Sequence, residues 1–291
     1  MEKTWLQRVN GDPLAWLLEE DAHNPGVRWF ALTELLDRPG NDPEVVATRE
    51  ALMIAGPVPK ILAAQTPQGY WVEPGPGYLP KYRSTVWQLI FLAQLGADRQ
   101  DPRVRSACEY VLDHSRSAYG GFSIDARNTG LVHCLQGNLV AALNDRLPCA
   151  WGAVKAMLAL SKVPESRRTA FVQSAIDVGV DFLLGRDPAQ ADYPMGYSTK
   201  PSRSWFQFGY PIGYVTDVLQ NLEVLAALGL GGDSRLIPAL DLLLSKQDSQ
   251  GRWKMEYTYN GKTWVDVEQK GKPSKWVTRR ALRVLKRSGA M

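Results

Sequence analysis

The chain has 291 residues, 45% hydrophobic and 22% charged, a composition that suits a folded globular protein and excludes a disordered or fibrous one. Its 34 Lys and Arg against 30 Asp and Glu leave a net charge of +4, too small and too dispersed for a nucleic-acid binder. No apolar run reaches the roughly 18 residues that cross a bilayer, no basic-then-apolar leader opens the chain, and Cys108, Cys134 and Cys149 are too few for a disulfide framework. The expectation is a cytoplasmic protein with no transmembrane segment and no nucleic-acid partner.

In chain order, residues 12–55 read as short helices opened by proline, "DPLAWLLEE", "NPGVRWFALTELLDR" and "DPEVVATREALMIAG", similar to a HEAT-like hairpin. Residues 1–56 are therefore expected to form an N-terminal helical cap, and residues 57–291 the main body. The body opens with "QTPQGYW" at 65–71 and an aromatic, basic loop. An all-round apolar helix follows, "STVWQLIFLAQLGA", then an amphipathic one, "DPRVRSACEYVLDHS". A helix apolar on most faces must be buried, and an amphipathic one can face solvent, so inner and outer helices are expected in turn.

The next inner-type helix, "HCLQGNLVAALNDR", runs almost directly into "CAWGAVKAMLALSK", with no outer helix between Arg146 and Cys149. The loop-helix-helix pattern returns after Asp192 with "YPMGYSTKPSRSWFQFGYP", "GYVTDVLQNLEVLAALGL" and "DSRLIPALDLLLSKQ", closed by "QDSQGRW" at 247–253. A last loop leads into "SKWVTRRALRVLKR". Strand signals are nearly absent, and the fold class read from this pattern is all-α.

The two Gln-x-x-Gln-Gly-x-Trp turns resemble the QW repeat of the prenyltransferase and squalene-cyclase (terpenoid cyclase-like) superfamily, over about residues 57–288, and most closely its bacterial members outside the characterised enzymes. The resemblance implies an α/α toroid whose Gln caps helix ends and whose Trp stacks on it. The omitted outer helix leaves a complete ring or one open at that point as alternatives. It further implies an enzyme of terpenoid-cyclase or prenyltransferase type, acting on an isoprenoid-like or other anionic, partly apolar small molecule in the toroid cavity. The other class of reading is a non-catalytic binding or scaffold protein.

Aligned on their apolar pattern, the inner helices place Gln88, Asn138, Asn221 and Thr278 at one level. Ser84, Cys134, Asp217 and Ser274 fall one turn earlier, with Cys149 near them. Buried polar groups of this kind fit a wet or ligand-filled cavity, or they satisfy one another and the helix ends, where Ser84, Ser274 and Asp217 stand like caps. Cysteines at helix starts have depressed thiol pKa values, which suits metal binding or nucleophilic attack. Cys134, with its neighbour His133, is thus the candidate reactive centre, and Asp125 or Asp217 the candidate acid. The protein prenyltransferases hold zinc with an Asp, a Cys and a His. By that resemblance Cys134, Cys149 and His133 are the metal candidates and zinc the candidate cofactor, although the family's Asp-x-Cys spacing is lacking here. Cys108, on an outer helix, is expected to be a buried, inert cysteine.

Three loops enter inner helices carrying cations beside aromatics: Lys81, Tyr82 and Arg83; Lys200, Arg203 and Trp205; Lys272, Lys275 and Trp276. Clustered cations at helix N-termini make an anion site, so Lys81, Arg83, Lys200, Arg203 and Lys275 are expected to hold a phosphate, diphosphate or carboxylate. Trp87, Trp151, Trp205 and Trp276 would shape an apolar wall, with Tyr82, Gln88, Asn138 and Asn221 beside it. The sequence has neither an Asp-x-Asp-Asp acid motif nor an Asp-Asp-x-x-Asp diphosphate motif.

Overall fold

The computed structural model describes residues 4–117, 121–125, 149–193 and 200–289. Among these the chain is helical, without strands, and its only bridges are isolated ones such as Gly209 with Tyr257 and Lys254 with Pro273. No helix among the described residues is long and apolar enough to cross a membrane. The inner-type helix at 133–146, with Cys134, His133 and Asn138, lies outside the described residues, as does all but the end of the Arg146–Cys149 junction.

Asp-Pro pairs begin several helices for one reason: proline presets the first helical φ while the preceding carboxylate accepts free backbone N–H groups. Asp12 accepts from Ala15 (3.0 Å) and opens α1, Pro13–Leu18. Asp42 accepts from Glu44 (2.9 Å) and opens α3, Pro43–Ile54. Asp101 accepts from Arg103 (2.8 Å) and opens α6, Pro102–His114. Between them lie α2, Pro25–Phe30, which runs on into a π-turn at Ala31–Leu35, then α4, Pro57–Ala63, and α5, Thr85–Leu95. α5 stops at Gly96 with φ +89°, where a side chain would press on the Trp29 ring. The remaining helices are α7, Ala150–Leu160; α8, Ala170–Leu184; α9, Val218–Ala227; α10, Ile237–Ser245; and α11, Lys275–Arg287.

α11 lies at the centre. It packs on α9 from one side and on α1, α2 and the π-turn from the other. Its polar face therefore has no water to meet, and Arg279 and Arg280 are 4% and 2% exposed. Carboxylates replace the water. Arg280 bonds Asp217 (3.0 and 3.1 Å) and Glu223 (2.8 and 3.0 Å), Arg279 bonds Glu34 (2.7 Å), and Arg283 bonds Glu34 (2.8 Å) and Glu223. Residues 12–55 therefore belong to the same core as the rest. Leu17, Val27 and Leu52 join one apolar cluster with Leu92, Val154, Leu225 and Leu285.

The two Gln-x-x-Gln-Gly-x-Trp turns are built with the same bonds. Each Trp is fully buried and its indole N–H donates ten residues back, Trp71 to the Ile61 carbonyl (2.8 Å) and Trp253 to that of Leu243 (2.7 Å). Each Trp backbone N–H reaches a threonine hydroxyl near the start of the following helix, Thr85 (3.2 Å) or Thr278 (2.9 Å). Each Gln amide then ties the turn to another segment. Gln65 donates to the carbonyl of Arg103 at the start of α6 (2.9 Å), whereas Gln247 donates to that of Arg8 (3.0 Å) and accepts from the Asn10 N–H (2.8 Å). The N-terminal segment thus meets the second turn much as α6 meets the first.

Candidate functional site

Cys134 and Asn138 of the expected register lie outside the described residues, and its other members fall at matching places. Ser84, Cys149, Asp217 and Ser274 are the N-cap residues of α5, α7, α9 and α11, and Gln88, Asn221 and Thr278 follow one turn later, each fully buried. Their polar atoms have different fates. Thr278 serves the Trp253 turn. Gln88 donates to the Tyr82 carbonyl (2.9 Å), but its Oε1 has no hydrogen-bond partner. Asn221 faces the Tyr193 hydroxyl without a hydrogen bond of normal geometry, and that hydroxyl donates instead to Leu183 (2.7 Å). A buried amide left this way costs about 1–3 kcal/mol.

Several expected site residues come together. The loop before α5, the 121–125 segment, the start of α7 and the 209–216 loop converge on an aromatic basin. Tyr78, Trp87 and Phe91 form its buried floor, with Tyr82, Ile124 and Tyr214 packed on them. Tyr82 lies 5.0 Å from Trp87 and 4.5 Å from Tyr259, ring centre to ring centre. Trp151 meets Tyr214 edge-on at 6.1 Å. Two ammonium groups address that same Tyr214 ring, Lys81 at 4.5 Å and Lys155 at 5.4 Å, and Lys155 also donates to the Tyr214 carbonyl. Asp125 is exposed at the edge, accepting from Ser123 (2.7 Å). Arg83 lies over Trp264 at 5.6 Å.

Lys155, Tyr214, Tyr257 and Tyr259 were absent from the expected set. Lys155 reads as one charge on an apolar helix and the tyrosines as loop residues, and only the meeting of four distant segments joins them. Burial pushes the phenols of Tyr82 and Tyr259 up, so both keep their protons. Lys81 and Lys155 sit no more than about 10 Å apart on one ring, so one anion can meet both ammonium groups, and the aromatic faces suit an apolar group beside it.

Other expected site residues have structural uses. Asp217, read as an acid, caps α9 through the Gln220 N–H (2.7 Å), accepts from the Gly209 N–H (3.3 Å) and holds Arg280 with both oxygens. Lys275, read as an anion ligand, has a side chain only 10% exposed and paired with Glu19 and Asp21, both at 3.5 Å. Its charge is already met by carboxylates. Trp205 donates to the Pro188 carbonyl (2.9 Å), and Trp276 stacks on Tyr210 at 4.4 Å while donating to Asn24 (2.9 Å), so both are buried pegs between segments rather than a cavity wall. Arg203 is exposed in a short 3-10 turn, Arg203–Phe206, and Lys200 is exposed just before it.

Of the metal candidates only Cys149 falls among the described residues. It is partly buried and its side chain makes no capping bond, while Cys108, expected to be buried, is exposed on the outer side of α6. Among the described residues no group of three or more His, Cys, Asp or Glu side chains converges to hold a metal ion. Compared with known proteins, the chain matches no family model, no curated protein and no solved structure.

Proposed function

We propose that the chain is an α/α toroid of the terpenoid-cyclase and prenyltransferase kind, and that its aromatic basin takes an anionic, partly apolar small molecule such as a prenyl diphosphate. The observation that carries the reading is the pair Lys81 and Lys155 on the Tyr214 ring, set among Tyr78, Tyr82, Trp87 and Trp151. The toroid is supported by the matching Trp bonds of the two turns and by the N-terminal segment at the second turn, where a closing ring would need it. The head group would sit between the two ammonium groups and the apolar part on the aromatic faces. Phenols held neutral there can donate to an oxyanion. Asp125 and Cys149 are the described candidates for chemistry beside it.

Calorimetric titration with farnesyl diphosphate tests this. Binding is expected to weaken at least tenfold in a Lys81→Ala, Lys155→Ala double variant, and equal affinity in variant and wild type would remove the basin as the anion site. A second reading, a binding protein without catalysis, is favoured by one observation: Asp217, a candidate acid, is committed to Arg280 and a helix end. Release of diphosphate from the bound probe would speak for the enzyme, and its recovery intact for the binding protein.

A further inference from the structure

Residues 256–273 form an irregular strap between the Trp253 turn and α11. Both ends are pinned to one another, since Met255 donates to Lys272 (2.9 Å) and Gly271 donates to Met255 (2.7 Å). The tip bonds within itself: the Gly261 N–H to Asp266 (2.8 Å), the Asn260 amide to the Glu268 carbonyl (2.7 Å), and the Thr263 hydroxyl to the Val265 carbonyl (2.7 Å). Gly261 has φ +75° and open space around it. Among the described residues, the hydrogen bond from positions 261–267 to a partner outside the strap is that of the Trp264 indole to the Arg83 carbonyl (2.9 Å), with the Arg83 guanidinium over the ring. Such a loop can move as a unit by giving up that latch and the packing of Val265 and Val267 on the core.

Beneath the tip lies a cleft. Thr263, Trp264, Val265 and Val267 roof it, and Ile61, Gln88, Phe91, Leu95 and Pro211 form the floor, leaving about 10 Å³ of free space. That is room for about one water and no ligand while the roof is down. The floor is apolar except for Gln88, whose fully buried Oε1 lacks a donor. Buried polar atoms without partners are uncommon and mark a group whose partner comes from elsewhere.

We propose that the tip of the strap is a lid latched by Trp264 on Arg83, and that the cleft beneath it opens to bind an apolar molecule carrying a hydroxyl, whose proton goes to Gln88 Oε1. An acceptor in the floor selects a donor: an alcohol fits, and the matching ether does not. The inference stands apart from the anion reading, because nothing in it depends on Lys81 or Lys155.

The test titrates 1-octanol and octyl methyl ether into the wild-type chain, Trp264→Ala and Gln88→Met, followed by amide exchange at 261–267. In Trp264→Ala, octanol is expected to bind at least tenfold tighter than in wild type, and tip amides to exchange faster before it is added. Alcohol is expected to exceed ether about tenfold wherever Gln88 is present, and to match it in Gln88→Met. Failure of octanol to bind Trp264→Ala, equal affinity in Trp264→Ala and wild type, or equal binding of alcohol and ether in the presence of Gln88 would each overturn the proposal. Should Gln88→Met not fold, the alcohol and ether comparison in Trp264→Ala still decides it. Inorganic diphosphate titrated in parallel reports on the basin: its binding without octanol binding removes the lid alone, and the reverse removes the anion site alone.

Discussion

Arg280 shows how far a single side chain can depend on its surroundings. Its guanidinium is almost wholly enclosed, and both carboxylates facing it, Asp217 and Glu223, are equally hidden. Burial works against the charge of Glu223, but the fields of Arg280 and Arg283 outweigh it and hold the carboxyl at about 2. Glu34 is likewise lowered, with burial overcome by Arg279 and Arg283. A carboxyl depressed on folding gives stability that is complete above its unfolded pKa and lost as pH falls towards the folded one. For Glu223 the loss is expected from about pH 4.5 down to about 2. Arg280→Met would take the buried cation from Asp217 and leave Glu223 with Arg283 alone, at a cost of about 3–5 kcal/mol at neutral pH. Glu223 would lose the larger of the fields that hold its carboxyl down and would take up a proton at higher pH, so the gap between variant and wild type should narrow from pH 7 to pH 3. Urea midpoints at the two pH values measure this, and an unchanged gap would mean that the ion pairs do not govern stability here.

The Gln and Trp turns were legible as a recurring element because a buried indole needs a carbonyl, and a tight Gly turn folds it back onto one in the last turn of the preceding helix. What the Gln reaches was not legible. The amide of Gln65 closes on the next helix, and that of Gln247 on residues more than two hundred positions earlier. The same substitution should therefore act in different places. Gln247→Ala loses bonds to Arg8 and Asn10 and is expected to cost about 1–2 kcal/mol and to expose residues 4–11 to proteolysis. Gln65→Ala should leave that segment protected. Limited proteolysis with sequencing of the first cuts distinguishes the two, and identical patterns would sink the assignment.

At the scale of the whole molecule, the N-terminal hairpin and the last helix stabilise each other. Glu34 holds Arg279 and Arg283, Asp37 meets Lys286, and Asn24 takes the Trp276 indole. A chain lacking residues 1–56 would bury unpaired arginines in α11 or leave them in water beside an exposed apolar face. It is expected to lose cooperative unfolding, while the full chain melts in one transition. Circular dichroism melts of both decide this, and a native-like cooperative melt of the shortened chain would show the hairpin to be dispensable.

By itself the sequence determined the helical class, the side-chain caps that start α9 and α11, and the two turns, because period, capping chemistry and turn geometry act within a dozen residues. It also brought Lys81 and Tyr82 together in one loop, a turn ahead of Trp87 in α5. The tertiary structure alone decided that Lys155 and Tyr214 complete the basin, that Asp217 and Lys275 are spent on ion pairs, and that the polar face of α11 is buried. Each of those outcomes depends on which distant carboxylate or ring arrives opposite a side chain. A charge reads the same in sequence whether water or a partner will meet it, and only packing settles which.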